Sequence, residues 1–391
     1  MITTEGILEA YYDCRRNKRT TASAIVYEMD YESKLIALRD RINARTYQPG
    51  KSICFVVTRP RYREVFAASF EDRIVHHYIA LRLEPLFELV FSPRTFNCRK
   101  GKGQLYGAEM LQADIMECSE NYTTDCYIMK LDLKGFFMSI DKQMLADKLD
   151  RFIVEYYKGD DIEDLRYLAH VVIAHSPEKN CERHSPASFW DFLPPNKSLF
   201  TNGEGKGVAI GNLFAQLFAN FLLNELDWYL EVLGNHGRYV DDFYCIHKDK
   251  AVLLSAVPKI RAKLAELGLT LNEKKFYFQH YTKGVEFTGT ITKPYRVYSS
   301  NRTIANFVTA ILRLNNAKTI RQVRHAVCSI NSYLGLLRHS NEYATRRKVL
   351  GMIDKRMFEY VYIKGRFEIL ALKNKYKVRR ETLKRIRDGD Y

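Results

Sequence analysis

The sequence predicts an α+β fold, with short antiparallel strands set among helices and then a run of helices toward the C-terminus. Three observations lead there. Short runs of β-branched and aromatic residues recur, at 53–57, 127–133 and 238–246 among others. Between them, apolar residues return at the three- and four-residue spacing of a helix. From about 303 onward only the helical spacing remains. At 391 residues and 46% hydrophobic content, the chain can build two or three substructures around a sizeable core.

Composition narrows the partners. Lys and Arg number 61 against 46 Asp and Glu, a net charge of +15. That excess suits a polyanion, most simply nucleic acid. The 13% aromatic content supplies rings for packing or base stacking. Eight cysteines are scattered with no Cys-x-x-Cys pair, which argues against a zinc ribbon or a disulfide framework. No run approaches the ~18 apolar residues of a membrane span, and residues 1–18 lack the apolar core of a signal peptide. A cytoplasmic location without a membrane partner is expected.

Taken in order, residues 6–46 carry two helical patterns around a basic run at 15–19, which reads as a solvated loop or a phosphate contact. A turn at 47–50 leads into the strand at 53–57. Arg59, Arg61 and Arg63 then alternate with other residues, so an extended chain puts all three on one face. Ser69 is placed to cap a helix through residue 81. His76 and His77 are adjacent, cannot make a helical metal pair, and are read as structural. The stretch 96–103 is a glycine-punctuated basic loop, a weak phosphate-cradle signal. A strand at 127–133 follows, then helices to about 174. Residues 176–207 read as an extended insertion, with Trp190 and Phe192 as its anchors. A long apolar helix from about 213 leads to Arg238-Tyr239-Val240-Asp241-Asp242, a hairpin with acidic residues at its tip. Further strands are expected within 276–298, then helices and a basic tail that includes Lys373, Lys375, Lys377, Arg379, Arg380, Lys384, Arg385 and Arg387. That tail is either an arm on nucleic acid or a solvated helix face.

Carboxylates mark the chemistry. Asp132 ends an apolar strand, a costly placement without a function, and Asp241 and Asp242 crowd at a turn. Hard oxygen donors with no His or Cys cluster nearby point to Mg²⁺ or Mn²⁺. Paired ions of that kind serve an in-line displacement at phosphorus. With arginines for triphosphate charge, nucleotidyl transfer uses every part.

In these residues the chain resembles reverse transcriptases of the bacterial group II intron, retron and diversity-generating retroelement lineage. Tyr239-Val240-Asp241-Asp242 is similar to the polymerase signature, and Asp132-Leu133-Lys134-Gly135-Phe136-Phe137 to the first catalytic motif. Asp72-Arg73-Ile74-Val75 with Arg63 resembles the fingers block. Ile210-Gly211-Asn212-Leu213 through Gln216, then Phe218-Ala219-Asn220, resembles the nucleotide-proximal motif, and residues 269–275 and 287–289 the two that follow.

The resemblance implies a right-hand polymerase: an N-terminal helical extension (1–46), fingers and palm (47–298, with the insertion at about 176–207), and an all-helical thumb with the basic tail (299–391). It implies that Asp132, Asp241 and Asp242, with the Leu133 carbonyl, hold the metal ions. Arg61 and Arg63 would hold the triphosphate. Phe137 would exclude a 2′-hydroxyl, Ile210, Gly211 and Gln216 would lie near the nucleotide, and Lys275 would be the general acid for pyrophosphate. The implied partners are an RNA template, a noncoding RNA in particular, a DNA or RNA primer, dNTPs, and an accessory protein or second polymerase from the same locus. Ile210-Gly211 stands where most relatives have Gln-Gly, as in diversity-generating enzymes, but Ala209 and Phe214-Ala215-Gln216 depart from that subgroup. The pattern shifts the expectation toward defence-associated enzymes acting against phage. Error-prone cDNA synthesis for diversification and a catalytically idle nucleic-acid scaffold are the alternatives.

Overall fold

A computed structural model describes residues 1–16, 18–59 and 61–377. Arg379, Arg380, Lys384, Arg385 and Arg387 of the basic tail lie outside the described residues. The chain divides into two compact units, one formed by 1–103 with 129–278, the other by 104–128 with the residues from 279 onward.

The first unit opens with three helices, α1 (Thr4–Arg15), α2 (Ala22–Glu28) and α3 (Tyr31–Asn43). Ile7, Ala10, Tyr11 and Cys14 form one buried stripe of α1, which lies along α4 (Phe70–Val90). Ser69 caps α4 as its position predicts, accepting from the Asp72 N–H at 3.1 Å. Asp72 is itself buried and accepts from the Tyr47 hydroxyl at 2.7 Å and from the Gly50 N–H, so the cap also fastens the turn at 47–50.

Strand β1 (Ser52–Val57) pairs antiparallel with β2 (Arg63–Ala67), with Val57 opposite Arg63. This corrects the reading of one extended arginine-bearing face. The chain must reverse between β1 and β2, so Arg59 and Arg61 fall in the connection and only Arg63 is in a strand. All three remain exposed. The insertion contributes a short strand, β4 (Cys181–Arg183), parallel to β1. Its anchor is Glu64, 1% exposed, which accepts from Trp190 Nε1 at 2.8 Å, Ser198 Oγ at 2.7 Å and the Leu199 N–H at 2.7 Å. Three donors make a buried carboxylate tolerable. Trp190 is thus an anchor, whereas Phe192 is 62% exposed and stacks on Tyr62 with ring centroids 5.1 Å apart.

A four-stranded sheet of order β5-β6-β3-β7 forms the centre of the unit, from β3 (Tyr127–Asp132), β5 (Asn235–Tyr239), β6 (Asp242–His247) and β7 (Tyr277–His280). Phe243, Tyr244, Cys245 and Ile246 are all buried, so β6 is covered on both faces. The accompanying helices are α6 (Phe136–Ser139), α7 (Lys142–Tyr156), α8 (Ile162–Ala174), α9 (Leu213–Glu231) and α10 (Lys250–Glu266). Between α9 and β5 lies an ion pair with no solvent exposure at either side chain. Arg238 donates through Nε and Nη2 to the two carboxylate oxygens of Asp227 at 2.7 and 2.6 Å.

In the second unit, α5 (Gln104–Cys118) packs against β9 (Thr290–Lys293), the middle strand of an antiparallel meander with β8 (Val285–Phe287) and β10 (Arg296–Ser299). Helices α11 (Asn301–Asn315), α12 (Ile320–Leu337) and α13 (Tyr343–Leu350) bury Phe307, Ile311, Leu314, Ile330, Leu334 and Leu350 in one core. Thr319 and Gln322 form a capping box at α12. The expectation of helices alone after 299 is corrected in one respect. A hairpin, β11 (Val361–Lys364) with β12 (Ile369–Leu372), packs on α12 and joins the helical core through Val361 and Leu370. The compact division also falls near 278 rather than 298 and takes α5 with it, because α5 is bound to the meander; Thr288 Oγ1 donates to the Gln104 carbonyl at 2.9 Å. Among the described residues, no helix is long and apolar enough to cross a membrane.

The buried pair sets a stability expectation. Asp227→Ala strands the Arg238 guanidinium without its counter-charge, and a loss of roughly 3–5 kcal/mol is expected. Urea unfolding followed by circular dichroism measures it; a midpoint close to wild type would contradict the role given to this pair.

Candidate active site

The site grows from the tip of the β5–β6 hairpin. Tyr239 pairs with Asp242, which leaves Val240 and Asp241 as a two-residue loop. Such loops need a positive φ, and the sequence suggests an Asp to supply it. The structure assigns it instead to Val240, at φ 60°. A β-branched residue resists that conformation, which persists only when its surroundings hold it. Here the Val240 N–H donates to Asn97 Oδ1 at 2.9 Å, and its carbonyl accepts from Arg238 Nη1 at 2.9 Å.

Asp132 ends β3, the neighbour of β6 in the sheet. The Leu133 N–H donates to the Asp241 carbonyl at 3.2 Å, so the end of β3 is joined to the hairpin tip through the backbone. Lys275 Nζ donates to Asp132 Oδ1 at 2.6 Å and Asn272 Nδ2 to its Oδ2 at 3.0 Å. Lys130 Nζ donates to Asp242 Oδ2 at 3.2 Å. Burial, then the charges of Asp132 and Asp242, push the Asp241 carboxyl up to about 6. Burial also raises Asp242, against the opposing pull of Lys130.

Among the described residues, no three His, Cys, Asp or Glu side chains stand in a ready-made ligand cage. Asp132 and Asp242 are turned to lysines, which stand where cationic charge is wanted. The donor chemistry nonetheless fits a hard divalent cation: carboxylate oxygens crowd together, and the like charge around Asp241 disfavours its own ionisation.

The remaining expected residues fall into neighbouring groups. Residues 210–212 run beside β2: the Phe66 N–H donates to the Ile210 carbonyl at 2.9 Å, and the Ala68 N–H to Asn212 Oδ1 at 3.2 Å. Gly211 has φ 121°, and a Cβ there would stand 2.6 Å from the Phe66 carbonyl oxygen, so only glycine fits. Phe137 and Ile210 are both half-buried against one cluster of Cys54, Phe66, Met138, Leu199 and Ala209. Gln216 is engaged by the Cys98 thiol. Arg61 and Arg63 stand exposed at the end of the β1–β2 hairpin.

The basic loop at 96–103 is not a phosphate cradle built from all its cations. Arg99 pairs with Glu88 at 2.8 Å and donates to the Ser92 carbonyl at 2.6 Å, while Lys102 Nζ donates to the Pro93 carbonyl at 2.7 Å. Its function in the fold is closer to the hairpin: the Phe96 N–H donates to the Arg238 carbonyl and the Arg238 N–H to the Arg94 carbonyl, both at 2.9 Å. The roles of Lys130, Asn272, Asn97 and Arg238 escape the sequence reading. Lys130 was legible, since period 2 puts it on the face of Asp132. Nothing local singles out Asn97.

Residues 58–292, more than half of the chain, match the family model described as reverse transcriptase (RNA-dependent DNA polymerase). The protein YkfC of Escherichia coli (strain K12) is 21% identical over 212 residues, covering 53% of this chain and 46% of YkfC. The chain therefore spans about half the length of that relative. Among solved structures, apo telomerase from Candida tropicalis gives 15% identity and a TM-score of 0.48, over 80% of this chain and 57% of that one. Telomerase from Candida albicans with a fragment of telomeric RNA gives 11% and 0.45, over 81% and 59%. On the extent of the family match, this chain belongs to the reverse transcriptase (RNA-dependent DNA polymerase) family.

Proposed function

We propose that the protein is a working RNA-directed DNA polymerase that extends a primer 3′-hydroxyl with dNTPs, with Asp132, Asp241 and Asp242 holding Mg²⁺ or Mn²⁺. The observation that carries this reading is the backbone link between the end of β3 and the hairpin tip, which joins Asp132 to two carboxylates distant in sequence. A divalent ion bound there would lower the barrier by offsetting charge on the attacking and leaving oxygens. The chain's own groups do the rest. Lys130 and Lys275 pair with Asp242 and Asp132, where a bound ion would take their place. Lys275, released in that way, would give a proton to pyrophosphate. Arg61 and Arg63, exposed and flanking Tyr62, would meet the triphosphate as planar forks. Phe137 and Ile210, packed on one cluster, form an apolar wall for sugar and base. The Leu133 carbonyl is a further oxygen donor at the end of the same strand.

In this reading the first unit supplies fingers and palm, and the second supplies the thumb with its basic residues for the template–primer duplex. The Tyr62–Phe192 stack beside the arginines suits a single-stranded RNA template. Ala209 and Phe214-Ala215-Gln216, which depart from the diversity-generating pattern around Ile210-Gly211, favour a bacterial defence-associated enzyme over a diversity-generating one. The gene neighbourhood tests that choice: a variable-protein gene with a template repeat would overturn it.

Purified protein with Mg²⁺, an RNA template, an annealed primer and dNTPs should give extension. Asp241→Asn should reduce the rate by on the order of 10³-fold, the several kcal/mol that metal-held charge supplies. Synthesis that survives this substitution would sink the assignment.

The metal reading also has a pH signature. The Asp241 carboxyl lies above its ordinary value, so its contribution to metal-free stability is present below about 4 and is lost as pH rises through about 6. Protons and Mg²⁺ compete for the same oxygens. The rise in Tm on adding Mg²⁺ should therefore be larger at pH 7.5 than at pH 5, and Asp241→Asn should flatten the difference. A gain independent of pH would count against it.

Ile210 offers no hydrogen bond to a nucleotide, so base selection should be loose. Ile210→Gln is expected to lower misincorporation severalfold in a sequenced product; an unchanged error spectrum refutes the idea.

A further inference from the structure

We infer that Asn97 is a positioning residue, which sets the carboxylates of the β5–β6 hairpin for metal binding without touching the ion. The inference rests on the reading that Asp241 and Asp242 hold divalent cations.

Three backbone groups at the hairpin tip are each held from outside the hairpin loop. The Val240 N–H goes to Asn97, the Val240 carbonyl to Arg238, and the Asp241 carbonyl to the Leu133 N–H. The last two fix the peptide planes on either side of Asp241, and with them the direction of its Cα–Cβ bond. The first fixes the plane before Val240 and so holds that residue in its left-handed conformation. Of the three holders, Arg238 belongs to β5 and Leu133 directly follows β3. Asn97 alone comes from a loop remote in sequence.

That loop is itself secured. The Asn97 carbonyl accepts from Asn220 Nδ2 at 3.0 Å, and Asn220 Oδ1 accepts from Arg238 Nη1 at 3.2 Å. Thr95 bridges to Arg238 in parallel, and Cys98, next in sequence to Asn97, also has a positive φ of 52°.

The side chain of Asn97 points to its purpose. It is 1% exposed. Because Val240 offers only an N–H, the atom facing it must be the oxygen, and the amide nitrogen is left toward the Cys98 thiol. A leucine of nearly the same shape would fill this buried space. What leucine lacks is the acceptor for Val240. A buried polar side chain whose oxygen serves one backbone N–H of the hairpin marks a constraint on the hairpin rather than on packing.

Two variants of the same shape separate the possibilities: Asn97→Leu removes the acceptor, and Asn97→Asp keeps an oxygen in place. Mn²⁺ binding, followed by the paramagnetic resonance of the free ion, needs no substrate and reads the site directly. Asn97→Leu is expected to bind Mn²⁺ about tenfold more weakly, as for other groups that orient metal ligands, with a Tm within a few degrees of wild type. It should also lower kcat while leaving KM for dNTP near wild type. Asn97→Asp should bind Mn²⁺ at least as tightly as wild type. Wild-type affinity in Asn97→Leu would overturn the inference and leave the polymerase reading intact. If Asn97→Leu does not fold, weak binding by Asn97→Asp overturns it instead. Wild-type protein that binds no Mn²⁺ would remove the metal reading itself, and this inference with it.

Discussion

Arg238 has no contact with solvent, and a guanidinium in that position stands only if every donor is used. Asp227 takes two of its N–H groups, Asn220 and Val240 share Nη1, and Thr95 Oγ1 donates to Asp227 at 2.6 Å. This one charged group therefore ties helix α9, the loop after α4 and the hairpin tip into a single unit. It also holds the carbonyl of the left-handed valine at the hairpin tip. Removing either partner leaves the other as a buried, uncompensated charge. The carboxylate site is thus built on an electrostatic constraint one layer beneath it.

Above that layer the electrostatics reverse. Asp241 and Asp242 are both pushed toward protonation, by burial and by the charge of Asp132. Lys130 opposes that push at Asp242, and Lys275, paired with Asp132, opposes it at both. A lysine is a compact charge on a flexible stem, so it can stabilise a carboxylate and still swing away when a stronger cation arrives. Arg238 cannot do this, because its fork is committed on all sides. The chain thus uses its rigid cation for architecture and its mobile ones beside the proposed chemistry.

The insertion follows the same logic at the β1–β2 hairpin. Glu64 is buried in a strand and would be costly alone, but Trp190, Ser198 and Leu199 of the insertion supply its donors. The segment is held to the strands by that carboxylate and by pairing of β4 with β1. One consequence is that Phe192 is kept exposed against Tyr62, beside three exposed arginines.

Much of this was legible in the sequence, where the signal is local. The strand ending on Asp132, the hairpin around Asp241 and Asp242 and the Ser69 cap each follow from spacing, capping and turn chemistry. The hairpin at 361–372 was missed, although Val361, Ile363 and Ile369 are β-formers, because it lies in a stretch whose helical spacing dominates. The sense of the arginine stretch was missed because a chain reversal depends on which strands pair. What Asn97, Asn220 and Asp227 do was missed for a deeper reason. Their roles are hydrogen bonds to residues between 11 and 143 positions away, and no periodicity encodes such a partner. Sequence alone therefore determined which carboxylates the chain carries and the turns that display them. Tertiary structure decided which groups hold those turns in place, because burying a charge or a strained backbone is tolerable only where distant partners converge.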